Sequence, residues 1–142
     1  MKKSFGDCEE VKEDKKIVIT DPKSKNKRSK FCLENPEKKK IRVITVDDCV
    51  IKKGIRCDYL IILPDEKEIY LELKGKDVEH AVQQIEASMK QLKSKLSSEK
   101  LCFVASTRCP IASPQIQNIK KKFKKNYNAQ LYIKNGKITY TV

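Results

Sequence analysis

IRCDYLIIL (55–63), PDEK (64–67) and EIYLELKG (68–75) decide how this chain is read. The first and third pieces are apolar and rich in β-branched residues, each long enough for a strand, and the Pro64-Asp65-Glu66-Lys67 stretch breaks the chain between them. Together they predict an antiparallel hairpin. If Ile62 pairs with Glu68 across the connection, the register places Asp58 directly opposite Glu72. Side chains alternate faces along a strand, so Glu72 and Lys74 project together while Leu71 and Leu73 point into the core. Two carboxylates and an ammonium then converge on one patch. Opposed carboxylates on neighbouring strands repel. A divalent cation between them turns the repulsion into ligation, and hard oxygen donors suit Mg²⁺ or Mn²⁺.

Upstream, IRVITV (41–46) reads as a further strand running on towards Ile51, with a turn at Lys52-Lys53-Gly54. A tight turn there pairs Ile51 with Ile55 and brings Asp48 opposite Asp58; a shift of one residue presents Asp47 instead. Both stay open as the remaining acidic ligand. Downstream, Val78, Val82, Ile85, Met89, Leu92 and Leu96 recur at helical steps and form one apolar stripe, with Asp77 placed to cap the helix. LCFVAS (101–106) has the character of a buried strand. Ser113-Pro114 opens a second helix that turns Ile116, Ile119 and Phe123 inward and KKKFKK outward. The chain closes on AQLYIKNGKITYTV (129–142), a predicted hairpin about Asn135-Gly136.

Before Ile41 the pattern is looser. A short strand fits Ile17–Thr20, and KSKNKRSK (23–30) has no apolar period and reads as a basic loop or arm. The expected architecture is a mixed α/β (α+β) protein: a basic N-terminal extension over 1–30, then a single domain over 31–142. Its central mixed β-sheet carries the hairpin site and is flanked by two main helices. At 142 residues and 39% hydrophobic content, one core is the natural outcome.

The formal net charge is +13, from 32 Lys+Arg against 19 Asp+Glu. It is unevenly spread: 13 basic and 8 acidic side chains over 1–40, 7 and 9 over 41–80, and 12 and 2 over 81–142. An acidic centre between basic arms suits an enzyme that holds a cation with carboxylates and collects phosphates with lysines. The charge points to nucleic acid as the partner. No apolar run approaches the ~18 residues that cross a bilayer, so no membrane partner is expected. MKKSFGDCEEVKED has no apolar stretch after its lysines, which predicts a cytoplasmic protein whose six cysteines are thiols.

Asp58, thirteen intervening residues and Glu72-x-Lys74, on a hairpin followed at once by Gly75 and an amphipathic helix, resemble the PD-(D/E)xK nuclease superfamily. The likeness spans Ile41 to Ile133, with small resolvase-like and RecB-like members nearest in pattern. It implies a restriction-endonuclease-like core and a Mg²⁺-dependent (or Mn²⁺-dependent) deoxyribonuclease. In that frame Asp58 and Glu72 bind metal, the Leu73 carbonyl adds a ligand, and Lys74 positions the attacking water. Gln84, with Gln83 in reserve, corresponds to the glutamine that touches the catalytic lysine or substrate. The family's further acid comes from a helix before the first strand. None is predicted here, so Glu34, Glu9 and Glu10 join Asp47 and Asp48 as candidates.

Lys25, Lys27, Arg28 and Lys30 on one side, and Lys120, Lys121 and Lys124 on the other, would hold the phosphate backbone, with His80 at the helix start beside them. DNA ranks ahead of RNA, and a homodimer or partner subunit remains open. The chain is short for base-reading loops, which favours structure-selective or non-specific cleavage in repair, recombination or defence. The alternatives are a non-catalytic nucleic-acid-binding module on the same fold, or a toxin or immunity protein. Cys49 and Cys57 are expected nearly opposite one another. No C-x-x-C pair supports a zinc site.

Overall fold

The computed structural model describes residues 4–20, 29–75, 78–92, 99–106 and 114–142. After a 3₁₀ turn at Gly6–Cys8 come β1 (Glu9–Lys12), β2 (Lys16–Thr20), β3 (Lys30–Glu34), β4 (Ile41–Thr45), β5 (Tyr59–Ile62) and β6 (Glu68–Gly75). Then follow α1 (Val78–Gln91), β7 (Lys100–Ser106), α2 (Pro114–Tyr127), β8 (Ala129–Asn135) and β9 (Lys137–Thr141). Six strands form one mixed sheet in the order β1-β4-β5-β6-β7-β8, and β2-β3-β9 form a second. Pairing from β1 to β6 is antiparallel, and β6, β7 and β8 run parallel. The expected mixed α+β class, with two helices and a central mixed sheet, is what the structure has.

The layers follow from the strand alternation. On one face of the large sheet Leu60, Ile62, Tyr70, Cys102, Val104, Leu131 and Ile133 pack against Ala81, Val82, Ile85 and Met89 of α1 and Ile116 and Phe123 of α2. On the other face Ile61, Ile69, Leu71, Leu73, Leu101 and Phe103 meet Ile17, Ile19, Phe31, Leu33 and Ile138 of the small sheet. Strands buried on both faces lose alternation and read as continuous apolar runs, as β7 does. Each helix buries one stripe only, as its 3.6-residue period requires. No helix among the described residues is long and apolar enough to cross a membrane.

Several local expectations are corrected. The 41–51 strand stops at Thr45, and the chain turns back through an isolated bridge between Asp47 and Ile51. The turn about Asn135-Gly136 forms, with Gly136 at φ 74°, but β8 and β9 do not make the predicted hairpin. β8 stays in the large sheet beside β7, and β9 joins β3 in the small one. A turn signal fixes the chain reversal and says nothing about which neighbour each strand then chooses. The short strand expected over Ile17–Thr20 forms as Lys16–Thr20 in the small sheet, whereas Glu9–Lys12, in the large sheet, and FCLE (31–34), in the small one, lie in strands not foreseen. Asp77, Leu96, Ser113, Lys25, Lys27 and Arg28 lie outside the described residues.

Strand direction gives the molecule two ends. At one, Glu68, Lys100 and Ala129 lie level across β6, β7 and β8. At the other, Gly75, Ser106 and Asn135 lie level, with Thr45 and Tyr59 paired beside them. The candidate site is at this second end.

Candidate functional site

The hairpin register is the one the sequence predicts: Ile62 pairs with Glu68 and Tyr59 with Leu71. The Asp58 N–H donates to the Leu71 carbonyl at 3.1 Å, so the ladder runs one residue past β5 and leaves Asp58 opposite Glu72. The Asp58 carboxylate is held against the facing strand, its Oδ2 accepting the Leu73 N–H at 2.8 Å. Leu73 itself turns its side chain into the core between the sheets.

Glu72 lies on the helix-side face and is only 3% exposed. Its Oε1 is buried and finds no hydrogen-bond partner among the described residues. Burial pushes its carboxyl up to about 9, and the facing Asp58 and then Asp47 push it the same way. A buried polar atom with no partner costs about 1–3 kcal/mol. Glu72 therefore stands as a proton-holding carboxyl that a cation would discharge.

Asp47 and Asp48 separate clearly. Val46, not Asp48, is the residue opposite Asp58, because the Val46 N–H donates to the Asp58 carbonyl at 3.0 Å. Asp48 is exposed and sits in a left-handed conformation (φ 60°), so the predicted Asp48–Asp58 pairing is not made. Asp47 is the acid near the patch. Its N–H reaches the Asp58 carbonyl at 3.3 Å, and its carboxylate accepts the Arg56 Nε at 2.7 Å. Glu9 is engaged with Arg42 instead, at 2.7 Å, which holds its carboxyl below the usual range. Glu10 is exposed on β1, and Glu34 ends β3 at the far end of the small sheet. None of these three joins Asp58 and Glu72.

Lys74 belongs to β6 by its backbone, and its side chain lies outside the described residues. The ladder between β6 and β7 shifts between Glu72 and Gly75, so an irregularity interrupts the alternation just where Lys74 stands. His80 is exposed in the first turn of α1. Gln83 is exposed and Gln84 half-buried, and Gln84 Nε2 donates to the Arg56 carbonyl at 3.1 Å. Ser88, one turn on, accepts the Cys57 N–H at 2.8 Å and donates to the Gln84 carbonyl at 2.9 Å. Gln84 and Ser88 thus clasp the two residues that lead into Asp58. Ser88 escaped the sequence reading, although a serine at three residues from Ile85 falls on the buried stripe and asks for a polar partner.

Among the described residues, no three or more His, Cys, Asp or Glu side chains gather as a metal-holding group. What the structure brings together is a pair, Asp58 and Glu72, with Asp47 close by. The orphaned Glu72 oxygen fits a hard divalent cation better than it fits a structural carboxylate.

Lys30 is exposed at the start of β3. Lys120, half-buried, and Lys121 and Lys124, exposed, lie in α2, where Lys120 and Lys124 line a groove of about 290 Å³ with Gln130 and Tyr132 of β8. α2 ends beside Lys100, at the end of the sheet away from the carboxylates. The cysteines also differ from expectation. Cys8 and Cys49 form a disulfide, and Cys49 does not face Cys57. The β1–β4 pairing sets Cys8, just before Glu9, next to the turn after Thr45, a neighbourhood that spacing cannot reveal. Cys32, Cys57 and Cys102 are buried thiols, and burial raises Cys57 to about 12.

The fold and site define an α+β protein with an acidic pair, Glu72 buried and Asp58 half-buried, at one end of a mixed sheet. Comparison with known proteins finds no matching family, no matching curated protein and no matching solved structure.

Proposed function

We propose that the protein is a metal-dependent nuclease of PD-(D/E)xK type that hydrolyses phosphodiester bonds in DNA. The observation that carries the reading is the buried, unpartnered Glu72 Oε1 opposite Asp58. With Glu72 protonated the pair is tolerated; once Glu72 is ionised it repels unless a positive charge is placed between its members. The antiparallel run β4-β5-β6, followed by α1 and a strand parallel to β6, adds support as the setting the sequence resemblance implies.

In this reading Asp58 and Glu72 hold Mg²⁺ or Mn²⁺, with the Leu73 carbonyl as a further ligand and Asp47 as the nearest remaining acid. The bound cation would neutralise the scissile phosphate. Asp58 is kept in place by the Leu73 N–H and, through residues 56 and 57, by Gln84 and Ser88. Gln84 is then a positioning residue, its amide spent on the backbone that aims Asp58. Lys74 is assigned the orientation of the attacking water. Cleavage that is structure-selective or indifferent to sequence, in repair, recombination or defence, is the matching role.

The test is cleavage of supercoiled, linear, single-stranded and branched DNA, and of RNA, in Mg²⁺, Mn²⁺ and EDTA. Wild type is expected to cut in a divalent cation only, and Asp58→Ala, Glu72→Gln and Lys74→Ala to abolish cutting while binding stays within a few-fold. Tight binding without cleavage in any metal would contradict the enzyme and leave a nucleic-acid-binding module.

A further inference from the structure

The small sheet carries basic side chains to the same end of the molecule as the acidic pair. β8 rises to Asn135, level with Ser106 and Gly75, and β9 then starts at Lys137. Lys137 is the register partner of Lys30, and the Lys30 N–H donates to the Gly136 carbonyl at 3.3 Å. Phe31 and Ile138 face inward, so alternation turns Lys30 and Lys137 outward, side by side. Lys134, exposed and level with Ala105, stands near the end of β8, the edge strand that leads through Gly136 into Lys137. The small sheet is also tied to the site edge directly, the Tyr59 hydroxyl donating to the Thr20 carbonyl at 3.4 Å beside Asp58.

Two lysines facing each other across neighbouring strands repel, and that arrangement is relieved by an anion. Among the described residues, none of Lys30, Lys134 and Lys137 takes part in an ion pair. The α2 lysines are placed differently. At 1.5 Å per residue, Lys124 lies about 15 Å along the helix from Pro114, towards the end remote from Glu72. Glu72 is level with Val104 and Ile133, so Lys134 lies one residue further on and two strand spacings away, about 10 Å between backbones, on the face of the sheet opposite Glu72.

The geometry points to a phosphate track formed by Lys134, Lys137 and Lys30, which seats the DNA backbone at the same end of the molecule as the acidic pair. The track, rather than α2, is the main backbone contact. This rests on the nuclease reading for the identity of the partner, and its test is kept separate from cleavage. A short fluorescein-labelled DNA duplex is titrated in EDTA, across a salt series, with wild type and two variants of equal charge, K30A/K137A and K120A/K124A. The track predicts at least a tenfold loss for K30A/K137A, with the slope of log K against log salt reduced by about 2, and a smaller loss for K120A/K124A. Binding by K30A/K137A within about twofold of wild type would overturn it, as would an equal or larger loss for the α2 variant. Adding Lys134→Ala to K30A/K137A should weaken binding again. Track-dependent binding by a protein that cuts in no metal would uphold the track while removing the nuclease.

Discussion

Two glutamates, four residues apart on β6, face the same helix layer and are buried to nearly the same degree, Glu68 5% and Glu72 3% exposed. Their surroundings are opposite. Glu68 accepts the Tyr70 hydroxyl at 3.3 Å and has Lys100 as its register partner. Lys100, 1% exposed, donates its Nζ to the Tyr127 carbonyl at 2.8 Å, where α2 ends. Glu72 faces Asp58 and keeps one oxygen without a partner. Burial alone therefore does not mark a functional carboxylate. One end of β6 is polar because the helix and strand ends there need each other, and the other is polar in a way that the chain's described groups do not satisfy.

The largest effect is expected at the satisfied end. Lys100→Met removes a buried ammonium and strands Glu68 and the Tyr127 carbonyl, so unfolding in denaturant should show a loss of about 3–5 kcal/mol. A loss below 1 kcal/mol would mean that the two ends of β6 do not differ as described. Next comes the Cys8–Cys49 disulfide, which closes a sequence separation of 41 beside the loop that carries Asp47. Its reduction, or Cys8→Ser with Cys49→Ser, should cost about 3–4 kcal/mol by loop closure, read as a lower denaturation midpoint.

A smaller effect tests the clasp on Asp58. Ser88→Ala leaves the buried Cys57 N–H without its acceptor and should cost about 1–3 kcal/mol of stability. It should also weaken divalent-cation binding, whereas Gln83→Ala, on the exposed side of the same helix, should change neither.

The pH dependence of stability is the sharpest test of the comparison. Burial, and then the facing Asp58, push the Glu72 carboxyl of the folded chain from the ordinary 4.5 up to about 9. Between those values the folded state retains a proton that the unfolded state has lost, so stability falls as pH rises through that window. Glu72→Gln should flatten the fall and raise stability towards the alkaline side. Added Mn²⁺ should offset the fall in wild type and leave the variant unaffected. A wild-type stability that rises between about pH 5 and about pH 9 would contradict the assignment.

Much of this arrangement was legible in the residues. The stripe from Val78 to Met89 gave α1, and the breaks at 64–67 together with the apolar runs on either side set the Ile62–Glu68 register and hence the Asp58–Glu72 pair. The choice between Asp47 and Asp48 was not legible. It turned on how the chain folds back after Thr45, where the Asp47–Ile51 bridge and the Arg56–Asp47 ion pair replace an ordinary hairpin. β1 was hidden because EEVK is an edge strand, with little apolar side chain to bury and only its backbone ladder to β4 to hold it. The disulfide and the Lys30–Lys137 pair depend on which strands become neighbours, a long-range outcome that no local pattern records.

The central claim is that Asp58 and Glu72 form a divalent-cation site charged by loss of the Glu72 proton. Calorimetric titration of Mn²⁺ into the protein at neutral pH, in two buffers of different ionisation enthalpy, tests it most directly. The account predicts saturable binding with release of a proton, abolished together by Glu72→Gln. No binding, or binding unchanged in the variant, would contradict it.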